Sequence, residues 1–349
     1  MMREERYKRQ TVLKEFGEES QRKLRRSSVL VVGAGGLGTA VMQYLNAMGI
    51  GTLGIIDNDT VSLSNLQRQV IYNEDDLGRP KVGAAGNFLK KQNSQTKINM
   101  YYAFLDTENA LRIIEGYDLV VDATDNLSAR YLVNDACVLL GKPFIYGALH
   151  GFEGHVSVFN YKKGPTYRCL YPQPPAASEI PNCAENGVLG VVPGIIGNIQ
   201  ALEAVKVICR IGKPLSGRLM IYNALFHDFY FMDFEFRSPA IGCLADTYEL
   251  ACLSNGVDAK AFMEKYNNEK IQVIDVRSAE EFTDFSLKLS INIPLKELKK
   301  KCHLINRKEK VYVLCQSGIR SQKAVSMLAE KFPDIDAVQV RGGLNSICL

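Results

Sequence analysis

Two stretches of this 349-residue chain place reactive side chains where a backbone can activate them. Cys315-Gln-Ser-Gly-Ile-Arg320 follows the apolar run VYVL and opens the helical pattern SQKAVSMLAEKF. A thiol at such a junction lies beneath several backbone N–H groups and the positive end of a helix. Both lower its pKa and stabilise an anion or a persulfide bound there. Arg320, one turn on, is expected to close over the same anion. The loop of a cysteine-dependent phosphatase is related but one residue longer. Nearer the N-terminus, Gly33-Ala-Gly35-Gly36-Leu-Gly38 separates the apolar run 29–32 from Leu37, Val41, Tyr44, Leu45 and Met48, which recur at helical spacing. Glycines at that junction allow a tight turn and bring backbone N–H groups close to a phosphate. Asp57 ends the next strand, where a carboxylate accepts hydrogen bonds from ribose hydroxyls. Taken alone, these residues suit an NAD-dependent dehydrogenase.

The segment after Asp57, DNDTVSLSNLQRQVIYNEDDLGRPKV, points elsewhere. Asn65, Arg68 and Lys81 offer an amide, a guanidinium and an ammonium. A triphosphate needs several such donors, and a pyrophosphate leaving group needs its growing charge stabilised. VVDATDN then places Asp125 at the C-terminal end of a strand, with Asn126 beside it. A carboxylate there is suited to hold Mg²⁺ on phosphate oxygens. No GxxxxGK[ST] sequence occurs, which excludes a P-loop.

RYKRQ (6–10), GAGGLG, DNDTVSLSNLQRQ, GRPKV and DATDN together resemble the ATP-binding motifs of the MoeB/ThiF/HesA family, the E1-like adenylyltransferases related to ubiquitin-activating enzymes. The resemblance runs from about residue 6 to 245. It implies ATP with Mg²⁺ rather than NAD. It also implies adenylation of the C-terminal Gly-Gly carboxylate of a ubiquitin-like sulfur-carrier protein, with release of pyrophosphate. Carried over by position, Asp57 would hold the ribose; Arg9, Asn65 and Lys81 would contact phosphates; Asp125, next to Asn126, would bind Mg²⁺. Arg68 would be an arginine finger reaching in from the second subunit of a homodimer. Cys183, in PNCAENGV, falls where some family members form a bond to the carrier or take part in sulfur transfer. The family's structural zinc is normally held by two CxxC pairs. Here they read Thr166-Tyr-Arg-Cys169 and Cys243-Leu-Ala-Asp246, each short of one cysteine, so zinc is not expected.

The C-terminal loop, with IDVRS, INIPL and VRGGLN, looks like a rhodanese domain over about 255–349, in which Asp275 and Arg277 brace the active-site loop. The fusion implies that a persulfide on Cys315, loaded by a donor such as a cysteine desulfurase, delivers sulfur to the activated carbonyl. The product would be a thiocarboxylate, for molybdopterin, thiamin or thiolation pathways.

Several elements must position these groups. Strands at 29–32, 97–103, 118–122 and 143–147 alternate with helices at 37–48, 107–115 and 127–140, which argues for an α/β, doubly wound and mostly parallel sheet. Beyond Gly151 the pattern changes. HVSVFNY alternates like an antiparallel strand, YPQPPAASEIP is a proline-rich loop, 193–211 is a long apolar helix, and 218–222 and 228–236 are strands. The expected division is an adenylation domain over 1–247 and a smaller α/β rhodanese domain over 248–349.

Composition narrows the classes further. Basic residues number 42 against 38 acidic, too balanced for direct nucleic-acid binding without a concentrated patch. Gly, Pro or charge interrupts each apolar stretch before ~18 residues, so no membrane span is expected, and the N-terminus lacks the apolar core of a signal peptide. Nine scattered cysteines do not form a disulfide framework and fit a cytoplasmic protein. Three other readings share some of these motifs: an ATP-dependent dehydratase acting on a modified tRNA adenosine, an NAD-binding oxidoreductase with a redox rhodanese module, and a non-catalytic scaffold for carriers.

Overall fold

The apolar run after Ser28 becomes β1 (Ser28–Val32), and its side chains alternate between two cores. Val29 and Val31 join one buried cluster; Leu30 joins the other, on the opposite face. A strand buried on both faces must be sandwiched between helices, as parallel strands are. The computed structural model describes residues 5–173, 187–237, 241–245, 248, 256–316, 318–332 and 334–347. It divides into two units, the first ending at Tyr248.

In the first unit β1 pairs in parallel with β2 (Thr52–Ile56) and β4 (Leu119–Asp122). Outside these lie β3 (Lys97–Tyr101) and β5 (Phe144–His150), also parallel. Three antiparallel strands extend the sheet beyond β5: β6 (Glu153–Phe159), β7 (Arg218–Asn223) and β8 (Asp228–Asp233). The order is β3-β2-β1-β4-β5-β6-β7-β8, so β1 and β4, whose connections leave in opposite directions, lie side by side at the switch point. Among its helices are α1 (Gly17–Arg26), α2 (Gly36–Ala47), α3 (Lys81–Gln92), α4 (Ala110–Glu115), α5 (Leu127–Leu139) and α6 (Val191–Cys209). Leu37, Val41 and Leu45 of α2 and Ile196, Ala201 and Val205 of α6 fill one face of the sheet. Ile113 of α4 and Leu132 and Ala136 of α5 fill the other.

Three differences from the sequence reading have plain causes. Tyr44, which shares the helical spacing of Leu37 and Val41 on α2, faces outward and is 52% exposed, because the buried stripe follows the i, i+4 row of Leu37, Val41 and Leu45 instead. The helix α3 begins at Lys81 directly after Pro80, a start signal hidden within a segment read only for its polar groups. His155, expected to open a strand, lies two residues inside β6, which begins at Glu153. The helix α6 is long and apolar enough to cross a membrane by length and composition, yet it is a core helix here. It packs along α2 and the sheet, and its buried Glu203 accepts from Lys206 Nζ at 2.6 Å and from Leu215 N at 2.8 Å.

The second unit has a five-stranded parallel sheet in the order β11-β10-β12-β13-β9. Its strands are β9 (Gly256–Val257), β10 (Gln272–Asp275), β11 (Ile291–Asn292), β12 (Val311–Leu314) and β13 (Ala337–Val340). Among its helices are α7 (Ala259–Asn268), α8 (Ala279–Asp284) and α9 (Ile319–Lys331). Val311 and Val313 enter one core while Tyr312 and Leu314 enter another, so this sheet is also covered on both faces.

Glycine substitutions test the packing of the first unit. A side chain at Gly38 would run into the Gly33 carbonyl, whereas one at Gly83, within α3, meets nothing within 4 Å among the described residues. Gly38→Ala is expected to destabilise the first unit by ~1–3 kcal/mol. Gly83→Ala should stabilise it by ~0.5–1 kcal/mol through helix propensity. Chemical denaturation of both variants checks the opposite signs.

Candidate active sites

In the first unit the carboxyl ends of β1 and β4 lie side by side at the switch point, where open α/β sheets bind their ligands. Gly33 leaves β1 with φ +99°, a left-handed conformation that glycine adopts freely. Its backbone lies so close to β4 that a Cβ would stand 2.7 Å from the Ala123 carbonyl oxygen. A side chain at Gly36 would meet Pro193 Cβ at 2.9 Å. Gly35 differs from these, since among the described residues nothing comes nearer than Gln69 Nε2 at 3.8 Å. The turn therefore uses Gly33, Gly36 and Gly38 for close packing and leaves space at Gly35, just before the first turn of α2. The N–H groups of that turn lack intrahelical partners and can receive an anion.

Asp57 closes the turn from below. Its Oδ2 accepts from Ala34 N at 2.7 Å and its Oδ1 from Asp59 N at 2.8 Å, while Tyr72 Oη donates to Ala34 O at 3.0 Å. Burial raises the Asp57 pKa; the Lys81 charge and the two N–H groups work against that rise. Lys81, the first residue of α3, is buried, and its Nζ lies 2.8 Å from Asp59 Oδ2. Asn65 ends a one-turn helix (Leu63–Asn65) and accepts from Ser62 N at 3.2 Å. Arg68 Nη1 donates to Ser64 O at 2.9 Å. Its stem lies beside Gly36, where Arg68 Cγ would be 3.5 Å from an added Cβ.

This chain's own Arg68 stands at its own glycine turn, because the 62–70 segment folds back over the start of α2. Arg9 is not brought to that turn. Tyr7 packs against Gly49, and Gln10 Nε2 donates to Met48 O at 3.0 Å, which pins the N-terminal segment to the far end of α2. A 12-residue helix is roughly 18 Å long, so Arg9 sits about a helix length from the glycine turn.

The loop after β4 carries Asp125, which is exposed. Asp122 is fully buried, and its Oδ1 accepts from Thr124 N at 3.0 Å and Thr124 Oγ1 at 2.7 Å. Arg130 Nη2 donates to Thr124 O at 3.0 Å. Asn126 caps α5 by accepting from Ala129 N at 2.7 Å, so its side-chain oxygen is committed to the helix rather than to a ligand. One exposed carboxylate fits Mg²⁺ on a nucleotide, because that ion takes most of its ligands from phosphates and water.

The second site is the Cys315 loop. Cys315 is buried; its Sγ accepts from Gly318 N at 3.1 Å and lies 3.5 Å from Ser321 Oγ. Leu344 N and Asn345 N donate to the carbonyls of Cys315 and Gln316 at 2.9 and 3.0 Å, holding the loop from behind. Arg277 forks onto Asp275, with Nη2 to Oδ2 at 2.7 Å and Nε to Oδ1 at 3.1 Å, and its Nη1 reaches Gln316 Oε1 at 3.1 Å. Arg320 does not close over Cys315 as expected. Both of its terminal nitrogens contact Glu281 at 2.6 Å, and this fork holds the Glu281 pKa down to about 2. Glu281 is in turn fixed by a capping box with Ser278 at the start of α8. Among the described residues the Gly318 N–H is thus the donor on the sulfur, while the Ser321 hydroxyl donates to Gly318 O at 2.9 Å and accepts from the thiol.

The donor set does not fit zinc. Cys169 Sγ accepts from Thr166 N and Arg237 N, each at 3.3 Å, and donates to Arg237 O at 3.1 Å. Cys243 is exposed. Arg168 forks onto Asp135 at 2.7 Å, and Tyr248 Oη donates to the same carboxylate at 2.8 Å. Hydrogen bonds therefore join segments that a metal would otherwise clamp. Cys137 and Cys209 are buried, and burial raises both thiol pKa values, that of Cys209 to about 11. Cys183, Asp246 and most of the proline-rich loop lie outside the described residues. Asp59, Asp122, Arg130 and Glu281 contact the candidate residues or their loops and are missed by sequence reasoning. Only Glu281 has a local signal, the Ser-x-x-Glu spacing of a capping box.

Comparison with known proteins places this geometry among relatives. Residues 7–245 match the ThiF family and residues 258–348 the rhodanese-like domain. The chain is 39% identical to the "Adenylyltransferase and sulfurtransferase MOCS3" of Arabidopsis thaliana, covering 98% of this chain and 82% of that one. It is 50% identical to the "Sulfur carrier protein adenylyltransferase" of Thermus thermophilus, over 63% of this chain and 83% of that one. Among solved structures, E. coli MccB with ATP aligns with a TM-score of 0.59 at 23% identity, over 69% of this chain and 74% of that one, a likeness of fold.

Two outcomes follow. Glu281 has a folded pKa below its ordinary 4.5, so its contribution to the second unit is full above that pH and is lost as pH falls toward about 2. Acid titration should show the stability gap between wild type and Glu281→Gln shrinking across that window; a constant gap would refute the pairing. A chelator should leave the thermal unfolding of the first unit unchanged, while Cys169→Ala, which strands two amides, lowers its stability by ~1–3 kcal/mol.

Proposed function

The chain belongs to the ThiF family and carries a rhodanese-like domain behind it, and on that premise we propose how its residues divide the work. It is an adenylyltransferase and sulfurtransferase that adenylates a sulfur-carrier protein and passes sulfur through the rhodanese domain. The observation that carries the assignment of residues is the convergence of the glycine turn, Asp57, Arg68 and the Asp125 loop at one switch point.

ATP lies with its ribose on Asp57 and its phosphates along the turn before α2. Arg68 and Lys81 face the phosphates, Lys81 exchanging part of its contact with Asp59, and Asn65 donates from its amide nitrogen. When bound, Mg²⁺ on Asp125 supplies charge against the departing pyrophosphate. The Gly-Gly carboxylate of the carrier attacks the α-phosphorus, pyrophosphate leaves, and an acyl-adenylate remains. Arg9, a helix length from its own glycine turn, serves only from a second copy. The groove beside Gly36 and Arg68, lined by Val70, Val191, Gly194 and Ile195, is where that copy seats in a homodimer.

The terminal sulfur of a Cys315 persulfide, supplied by a desulfurase-type donor, attacks the activated carbonyl and displaces AMP. The resulting acyl disulfide is cut when a second thiol attacks the Cys315 sulfur, releasing the thiocarboxylate and leaving a protein disulfide for an external thiol to reduce. We assign Cys183 to sulfur transfer, a role that the family gives a cysteine at this position. The backbone N–H of Gly318 stabilises the Cys315 thiolate at each stage.

ATP–pyrophosphate exchange with a carrier ending in Gly-Gly tests the first half. Exchange should require the carrier, and Asp125→Ala should lower it by ~10²-fold or more; undiminished exchange would remove Asp125 from the site. Cys315→Ala should keep exchange and abolish thiocarboxylate, which mass spectrometry of the carrier reads directly. An undiminished thiocarboxylate yield would exclude the persulfide.

A further inference from the structure

A buried charge pair beneath the Asp125 loop is arranged in an unusual way. Asp122 is 0% exposed and Arg130 12%, and their nearest atoms, Oδ2 and Nε, stand 3.9 Å apart. Neither of those two atoms has a hydrogen-bond partner among the described residues. Burying opposite charges costs free energy that mutual contact recovers only with good geometry, and here the direct contact is left slack. Each side chain instead directs its bonds to Thr124. Asp122 Oδ1 takes the Thr124 N–H and hydroxyl, while Arg130 Nη2 takes the Thr124 carbonyl. Thr124 is thus held from both sides, and Asp125 is the next residue.

The pair is itself fixed from outside. Gln200 Nε2 donates to Asp122 O at 2.7 Å, the Arg130 guanidinium lies 5.4 Å from the centre of the Tyr146 ring, and Asn126 caps the helix that carries Arg130. The carboxyl end of β4, α5 and α6 are thus tied together beneath the loop. We propose that Asp122 and Arg130 are positioning residues that fix the Thr124–Asp125 turn, so that Asp125 meets the nucleotide-bound metal ion in one geometry. Neither touches ATP. The inference rests on the assignment of Asp125 to that metal. It also accounts for the slack contact: closing the pair directly would pull on the bonds that set the turn.

The test uses the full chain with Arg130→Met, Asp122→Asn and the double variant, with Mn²⁺ as the probe ion. Electron paramagnetic resonance of free Mn²⁺ gives its affinity for the protein–ATP complex, and equilibrium dialysis in EDTA gives ATP binding without metal. Each single variant should weaken Mn²⁺ by ~10–100-fold, the range for residues that orient a metal ligand. ATP binding in EDTA should stay near wild type. The double variant should be no weaker than the worse single one, because both act on one turn. Unchanged Mn²⁺ affinity, or additive losses, would overturn the proposal. So would equal loss of ATP binding in EDTA, which would make Arg130 a phosphate contact. If Arg130→Met does not fold, Thr124→Val, which removes the hydroxyl's bond to Asp122 and its longer 3.5 Å contact with Asn126 O but keeps the backbone bonds, must weaken Mn²⁺ in the same direction or the proposal fails. Carrier-dependent exchange by wild type is measured alongside: its absence would refute the assigned reaction, while the Mn²⁺ affinities would still report on the pair.

Discussion

The backbone of Gly33 lies against the carbonyl end of β4, and the first site is built outward from that contact. No side chain fits between them, since a Cβ would sit 2.7 Å from the Ala123 oxygen. The approach lets the chain turn directly from β1 into α2 and places Ala34 N on Asp57 at 2.7 Å. It also sets the glycine turn beside Thr124, the residue that Asp122 and Arg130 hold. The glycine turn, the hold of Asp57 and the place of the Asp125 loop are three consequences of one close backbone contact, made where neighbouring strands send their connections opposite ways.

Charge does much of its work in this protein by holding backbone. Asp57 accepts two N–H groups, Asp122 and Arg130 grip Thr124, and Arg277 ties Asp275 to Gln316 beside Cys315. Residues expected to act on ligands are divided between that role and reaction. Arg320 is bound to Glu281, and Asn126 is a helix cap. At the Cys315 loop the donor left on the sulfur is the Gly318 N–H, a main-chain group that needs no reorganisation when charge develops.

Much of this is legible in the sequence, for reasons that separate one residue from another. The glycine turn, Asp57 and the Cys315 loop are signalled by short spacings at strand ends, and short spacings survive folding. The bracing by Asp275 and Arg277 spans two residues and is readable for the same reason. The reach of Arg68 and Arg9 is not legible, because it depends on where 62–70 and the N-terminal segment dock. Docking is decided by Gly36, Met48 and Gly49, which no local pattern connects to them. Arg320 faces a carboxylate 39 residues away. Asp122 and Arg130 look like the end of an apolar strand and a helix surface charge; only the assembled sheet buries them together.

The two units bury separate sets of apolar side chains, one pair of clusters on either face of the eight-stranded sheet and another on the five-stranded one. Each core can therefore melt without the other losing its own burial, and the whole chain has no single free energy of unfolding. Heating would proceed in two steps. Saturating nucleotide lifts only the step of the unit that binds it, by an amount set by its concentration over its dissociation constant. The calorimetric trace of this one polypeptide would then separate into a step that moves with ATP and a step that does not.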